Sequence, residues 1–167
     1  MTPEARLDQL GLVLPPPWEP GATLEMCVPE GDLLYLSGHM AIDMSRVITF
    51  HGRDNHHPLM QGRVGVDLDL SSALEAARGG ALNLIATLKA QLGELSRVRR
   101  ILKTVVFVNA GEGCTDIHKA ADASSDLLVE IFGDVGRHAR TTVGVRGLPA
   151  DSCLAIEAIV AFDTPGS

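Results

Sequence analysis

The chain has 167 residues, 46% of them hydrophobic, and a formal net charge of -7 with only three lysines among its 14 basic residues; this supports one domain with a sizeable core and argues against a nucleic-acid scaffold. Cys27, Cys114 and Cys153 are too widely spaced for a disulfide framework or a C-x-x-C metal knuckle, and read as buried free thiols in a reducing compartment. No basic segment followed by an apolar one opens the chain and no stretch approaches about 18 uncharged apolar residues, so the expectation is a cytoplasmic protein that spans no membrane.

Residues 1–22 read as an N-terminal arm. A short amphipathic piece, Pro3 to Leu12, precedes Pro15-Pro16-Pro17-Trp18-Glu19-Pro20-Gly21, whose prolines favour an extended path over the surface with Trp18 as anchor. Leu24 to Val28 and Leu33 to Ser37 flank Pro29-Glu30-Gly31-Asp32, a hairpin pattern in which Gly31 can take a positive φ. Ser37-Gly38-His39 closes the second strand with a bulge, a tight turn or a place where a ligand approaches the backbone. Val47 to Phe50 predicts a further short strand, followed by a polar loop containing His51, His56 and His57. The histidines lack the spacing of a helical or H-E-x-x-H metal site, so no metal is expected there.

Ser71 to Leu92 predicts a long helix, opened by a capping box from Ser72 to Glu75, with apolar residues recurring at three or four and Gly93 as its stop. The pair Gly79-Gly80 inside it costs about 1 kcal/mol per glycine, which points to a turn very close to a sheet or to a kink. Ile101 to Val108 reads as a central strand, preceded by Arg97, Arg99 and Arg100 as ordinary surface charge, with Lys103 sending its ammonium to the edge. Asn109 to Gly113 turns the chain, and no phosphate-cradling glycine loop follows any strand. A second helix is predicted from Thr115 or Asp116 to Phe132, stopped by Gly133, with His118 on its surface.

Two strands then close the sequence. Arg140 opens the β-branched run Thr141-Thr142-Val143, and a Gly-Leu-Pro-Ala-Asp turn leads to an apolar segment from Cys153 to Phe162 that Glu157 interrupts. An ionised carboxylate among apolar neighbours needs a partner or a watered cavity, which makes Glu157 a candidate site residue beside Arg140. The order of elements predicts an α+β fold in which two related β/α units share one mixed sheet, with both long helices on one face. The other face would be left bare in a monomer, so oligomerisation is expected to bury it.

These marks taken together, Leu36-Ser37-Gly38-His39, Leu102-Lys103-Thr104-Val105-Val106-Phe107-Val108, Ala139-Arg140-Thr141-Thr142, Leu148-Pro149 and Ile156-Glu157-Ala158, resemble the Rid family of reactive-intermediate deaminases, also called the YjgF family. The similarity runs from about Gly21 to Phe162 and implies a chorismate-mutase-like fold, with one domain over residues 23–163 and a tail at 164–167. It also implies a homotrimer with a cleft between each pair of subunits, and hydrolysis of enamines or imines bearing a carboxylate to ammonia and a keto acid, with water and no cofactor. By the same resemblance Arg140 grips the substrate carboxylate through two charge-assisted bonds. Glu157 orients the attacking water or accepts its proton, the Thr142 carbonyl helps to place that water, and Ser37 and Gly38 form the pocket wall.

The departures mark a divergent subgroup. Thr23 stands where active relatives have a tyrosine, Glu112 where they have an asparagine, with Asn109 one turn away, and His138 where a proline is usual. His138 either adds a titratable base near Arg140 or pairs with a surface acid. Beside the deaminase stand a non-catalytic trimer binding a small carboxylate or a protein, and a ribonuclease. The last is disfavoured because an acidic chain offers few phosphate-binding groups.

Overall fold

A computed structural model describes residues 1–19, 23–50 and 53–164. The arm residues Pro20 and Gly21, His51 of the histidine-rich segment, and tail residues 165–167 lie outside the described residues. In chain order the elements are α1 (Pro3–Gln9), β1 (Cys27–Glu30), β2 (Leu33–His39), β3 (Ile42–Phe50), β4 (Arg53–Pro58), α2 (Leu70–Leu92), β5 (Val98–Asn109), α3 (Ile117–Phe132), β6 (Ala139–Val145) and β7 (Leu154–Phe162).

Five strands form one mixed sheet in the order β1-β2-β7-β5-β6, in which only β5 and β6 run parallel. The parallel pair follows from chemistry already in the sequence: α3 lies between β5 and β6 and carries the chain back across one face. Both long helices cover that face, so the fold is the α+β, chorismate-mutase-like arrangement expected. Leu34, Leu36, Ile101, Val106, Val108, Ile156 and Val160 all point into the helix layer and are buried.

α2 is the centre of that layer. Its N-cap is Asp69, whose carboxylate accepts from the Ser72 backbone N–H at 2.8 Å. The expected capping box at Ser72 is therefore displaced: Ser72 already lies inside the helix and is the capped donor, because an aspartate three residues ahead is available to satisfy it. Gly79 and Gly80 lie against the sheet. A Cβ on Gly79 would stand 2.7 Å from the Cβ of Ala41, and one on Gly80 would stand 3.3 Å from both the His39 carbonyl oxygen and Ile156 Cδ1.

His39 closes the same contact and is fully buried. Its Nδ1 is 2.7 Å from the Ser37 carbonyl oxygen and its Nε2 2.8 Å from Thr87 Oγ1. A carbonyl only accepts, so Nδ1 carries the proton and the Thr87 hydroxyl donates to Nε2. Burial holds this imidazole at about 4, far below its ordinary value. The register of β2 against β7 shifts between Leu36 and His39, so Ser37-Gly38 is a bulge. Gly31 supplies the positive φ of the β1–β2 turn at 60°.

One further segment departs from expectation. The polar stretch 53–58 is a strand, β4, paired antiparallel with β3 in a separate two-stranded sheet. Its Arg-Asp-Asn-His-His composition has low strand propensity, and pairing with β3 overrides it. The start of the arm is the helix α1, capped by Thr2, and its Leu7 is buried in the main core; Glu4 accepts from Lys89 Nζ at 2.8 Å and from the Leu95 N–H at 2.7 Å. Trp18 is half-buried.

Candidate functional site

Strand alternation decides which site residues meet. Arg140 pairs in register with Thr104, and Glu157 with Val105. Directly opposed residues share a face and consecutive residues do not, so within one protomer Arg140 and Glu157 leave opposite faces of the sheet. Arg140 points to the helix layer and Glu157 to the bare face.

On the bare face a depression of about 510 Å³ is lined by Val28, Tyr35, Ser37, Lys103, Val105 and Glu157. Ser37 is fixed there, its hydroxyl donating to the Glu25 carbonyl oxygen at 2.7 Å. Lys103 reaches across to edge strand β6 and donates to Thr141 Oγ1 at 2.5 Å. Around it Val28, Tyr35 and Val143 remain 47%, 45% and 38% exposed, so this is the apolar surface that the sequence left without a cover.

On the other side a second concavity, about 390 Å³, is lined by Ser125, Val129, Arg137, His138 and Arg140. The Arg140 guanidinium donates from Nη1 to Ser125 Oγ at 3.0 Å and from Nη2 to Asp122 Oδ1 at 2.7 Å. His138 sits beside it, with Nδ1 2.6 Å from the Gly136 carbonyl oxygen and Nε2 3.0 Å from Ser125 Oγ. The local chain explains the proximity. Gly133 ends α3 with φ 63°, and the single 3-10 turn Gly133–Gly136 folds back so tightly that a Cβ on Gly136 would stand 2.5 Å from the Leu128 carbonyl oxygen. Only glycine fits, and His138 is thereby delivered to the flank of α3. Burial holds the His138 imidazole below its ordinary value, and the neighbouring Arg140 charge acts in the same sense, against an opposing bond to the Gly136 carbonyl.

The remaining candidates lie elsewhere. Thr142 is half-buried two residues beyond Arg140 on the same face of β6. Gly38 is exposed in the β2 bulge, and Thr23 is exposed in a turn ahead of β1. Glu112 is exposed in a third small concavity with Gly65, Cys114 and Asp116, sharing no wall with the other two. Asn109 is buried at the end of β5, where its Nδ2 donates to Asp151 Oδ1 at 3.2 Å. Among the described residues, no three His, Cys, Asp or Glu side chains gather to hold a metal ion.

Sequence reasoning overlooked Asp122, Ser125 and Tyr35. Asp122 and Ser125 are three apart on α3 and so share a face, outside the apolar stripe that marks the helix in the sequence. The signal was its polar complement facing the arginine strand.

Residues 41–160 match the family model described as "YjgF/chorismate mutase-like, putative endoribonuclease". Protein TCP17 of Trypanosoma cruzi is 34% identical over 157 residues, covering 93% of this chain and 91% of the relative. The structure is similar to that of protein Atu1372 of Agrobacterium tumefaciens, of unknown function, with TM-score 0.83, 34% identity and coverage of 98% and 94%. It is also similar to a Shewanella oneidensis protein described as a "putative endoribonuclease", with TM-score 0.85, 33% identity and coverage of 97% and 100%. The chain therefore belongs to the YjgF, or Rid, family.

Proposed function

We propose that this protein is a hydrolytic deaminase of small enamines or imines that bear a carboxylate, working as a homotrimer without a cofactor. The observation that carries the reading is the split of the two key groups: a half-buried guanidinium on the helix side of edge strand β6 and a half-buried carboxylate in a depression on the bare face. One protomer cannot join them, whereas a cleft between copies can. Burying Val28, Tyr35 and Val143 in that assembly also removes the exposed apolar face. On this reading residues 23–163 are the working domain and 1–22 an arm laid on it, in a divergent subgroup set apart by Thr23, Glu112 and His138. The three free cysteines suit a reducing, cytoplasmic setting.

Arg140 has five N–H donors, and the two bonds to Ser125 and Asp122 leave others, among the described residues, for a substrate carboxylate. After an enamine tautomerises to the imine, water adds to the imine carbon while Glu157 takes up its proton and passes it to the nitrogen, giving the carbinolamine. The carbinolamine then collapses to the keto acid and ammonia. Ser37 and Gly38 wall the pocket and the Thr142 carbonyl helps to place the water.

Ammonia release from freshly generated 2-aminoacrylate and a panel of longer imino acids tests this. Acceleration that falls at least roughly tenfold in Arg140→Ala and in Glu157→Gln is the expected result; no acceleration by the wild-type protein across the panel overturns it. The second reading, a trimer that binds a small carboxylate or a protein without catalysis, is favoured by one observation: Asp122 already holds Arg140.

A further inference from the structure

We propose that Ser125 is a second, covalent reactive centre, a serine nucleophile with His138 as its base, suited to small carboxylic esters that carry an anionic group. The geometry is specific. The Gly136 carbonyl can only accept, so the proton of the imidazole is on Nδ1 and the Nε2 lone pair faces Ser125 Oγ at 3.0 Å. The serine hydroxyl therefore donates to Nε2. Its oxygen also receives an N–H from Arg140 at 3.0 Å, which stabilises the alkoxide charge as the proton leaves. Asp122 holds that guanidinium in place at 2.7 Å.

The neighbouring serine shows what an ordinary helical hydroxyl does. Ser124 bonds back to the Ala121 carbonyl oxygen at 2.8 Å and is buried, the usual fate of serine inside a helix. Ser125 instead turns outward and opens, with His138, onto a concavity of about 390 Å³. Arg137 stands on the same wall and bonds to Asp134 at 3.4 Å, so two guanidinium groups face any ligand there. That is the reason to expect an anionic substituent on the ester.

In the reaction Ser125 Oγ bonds to the ester carbonyl carbon and its proton passes to His138 Nε2, while the oxyanion faces the arginine N–H groups. The bond to the leaving alkoxide breaks and the alcohol departs with the proton from Nε2. Water then attacks the acyl-serine, its proton passing through Nε2 to Ser125 Oγ, and the carboxylic acid leaves. Ester and water become acid and alcohol, with no other reactant. Burial favours the neutral form of the His138 imidazole, in which Nε2 keeps the lone pair that takes the serine proton.

The proposal does not rest on the deaminase reading, because its readout is a covalent adduct and not ammonia. The full chain is treated with a fluorophosphonate probe, the modified peptide is mapped by mass spectrometry, and hydrolysis of 4-nitrophenyl acetate and 4-nitrophenyl hemisuccinate is followed. The expected result is an adduct on Ser125, formed at least tenfold more slowly in His138→Gln, and faster turnover of the hemisuccinate. Mapping on the wild-type protein needs no variant to fold. No adduct, an adduct on another residue, or labelling that His138→Gln leaves unchanged overturns the proposal.

Discussion

The two long helices do different work. α2 is buried along most of its length, with Ala73, Ala76, Ala77, Gly80, Ala81, Leu84, Ile85 and Leu88 all enclosed, and even its polar Asn83 and Thr87 turned into the protein. α3 is amphipathic: Ala120, Ser124, Leu127, Leu128 and Ile131 face the core, while Asp122 and Ser125 face the arginine strand. Thus α2 is the scaffold, with no room to change. α3 is the helix with a polar face left at the surface, where Asp122 and Ser125 hold Arg140 beside a concavity.

The sharpest test of that division is Gly79→Ala in α2. Helix propensity alone predicts a gain of about 1 kcal/mol. Packing predicts the opposite, since the new Cβ would meet that of Ala41 at 2.7 Å, and overpacking costs roughly 1–3 kcal/mol. Urea denaturation should show a net loss of stability. A stabilised variant would mean that α2 and the Ala41 segment can part freely, and the scaffold reading would be lost.

The two histidines sharpen the same contrast through pH. His39 links β2 to α2 by its bond to Thr87, and its value in the fold is about 4 against about 6.5 in an unfolded chain. Between those values the unfolded state binds more protons, so stability is fully present above pH 6.5 and is lost as pH falls toward 4. From pH 7.5 to 5 this should remove about 2 kcal/mol. His138 on the α3 side, also held low but only half-buried, adds to the loss in the same sense. Denaturation at the two pH values should show the loss, and His39→Gln should flatten most of it. A pH dependence unchanged in that variant would assign the effect elsewhere.

The fold was largely legible. The periodicity of α2 and α3, the Gly31 turn and the β-branched run of β5 each carry a strong local signal, and the glycine pair in α2 signals either a close approach to the sheet or a kink, of which the fold shows the approach. What failed was decided by tertiary partners. β4 is written in residues that disfavour strands and exists through its pairing with β3. The cap of α2 fell to Asp69 because two adjacent stretches offered capping residues. At the site, Arg140, Glu157 and His138 stood out as charge or imidazole in unusual company. Asp122 and Ser125 did not, since polar residues on a helix surface look like solvated ones until the fold shows what they face.

The smallest effect expected on stability is also the most informative about the site. Asp122 is 53% exposed and its ion pair with Arg140 is open to solvent on that side, so Asp122→Asn should change stability by no more than about 1 kcal/mol. Its effect on ligands should run the other way. The Asp122 carboxylate already occupies part of the guanidinium and repels a second anion. Its removal should therefore tighten binding of a simple carboxylate such as pyruvate roughly fivefold, about 1 kcal/mol, as read by calorimetry. The same measurement on Arg140→Ala supplies the floor. If Asp122→Asn binds pyruvate no better than the wild type while Arg140→Ala binds none, Asp122 orients the clamp without competing for it. If neither substitution alters binding, the α3 side of β6 holds no carboxylate, and the division of labour between the helices reduces to packing alone.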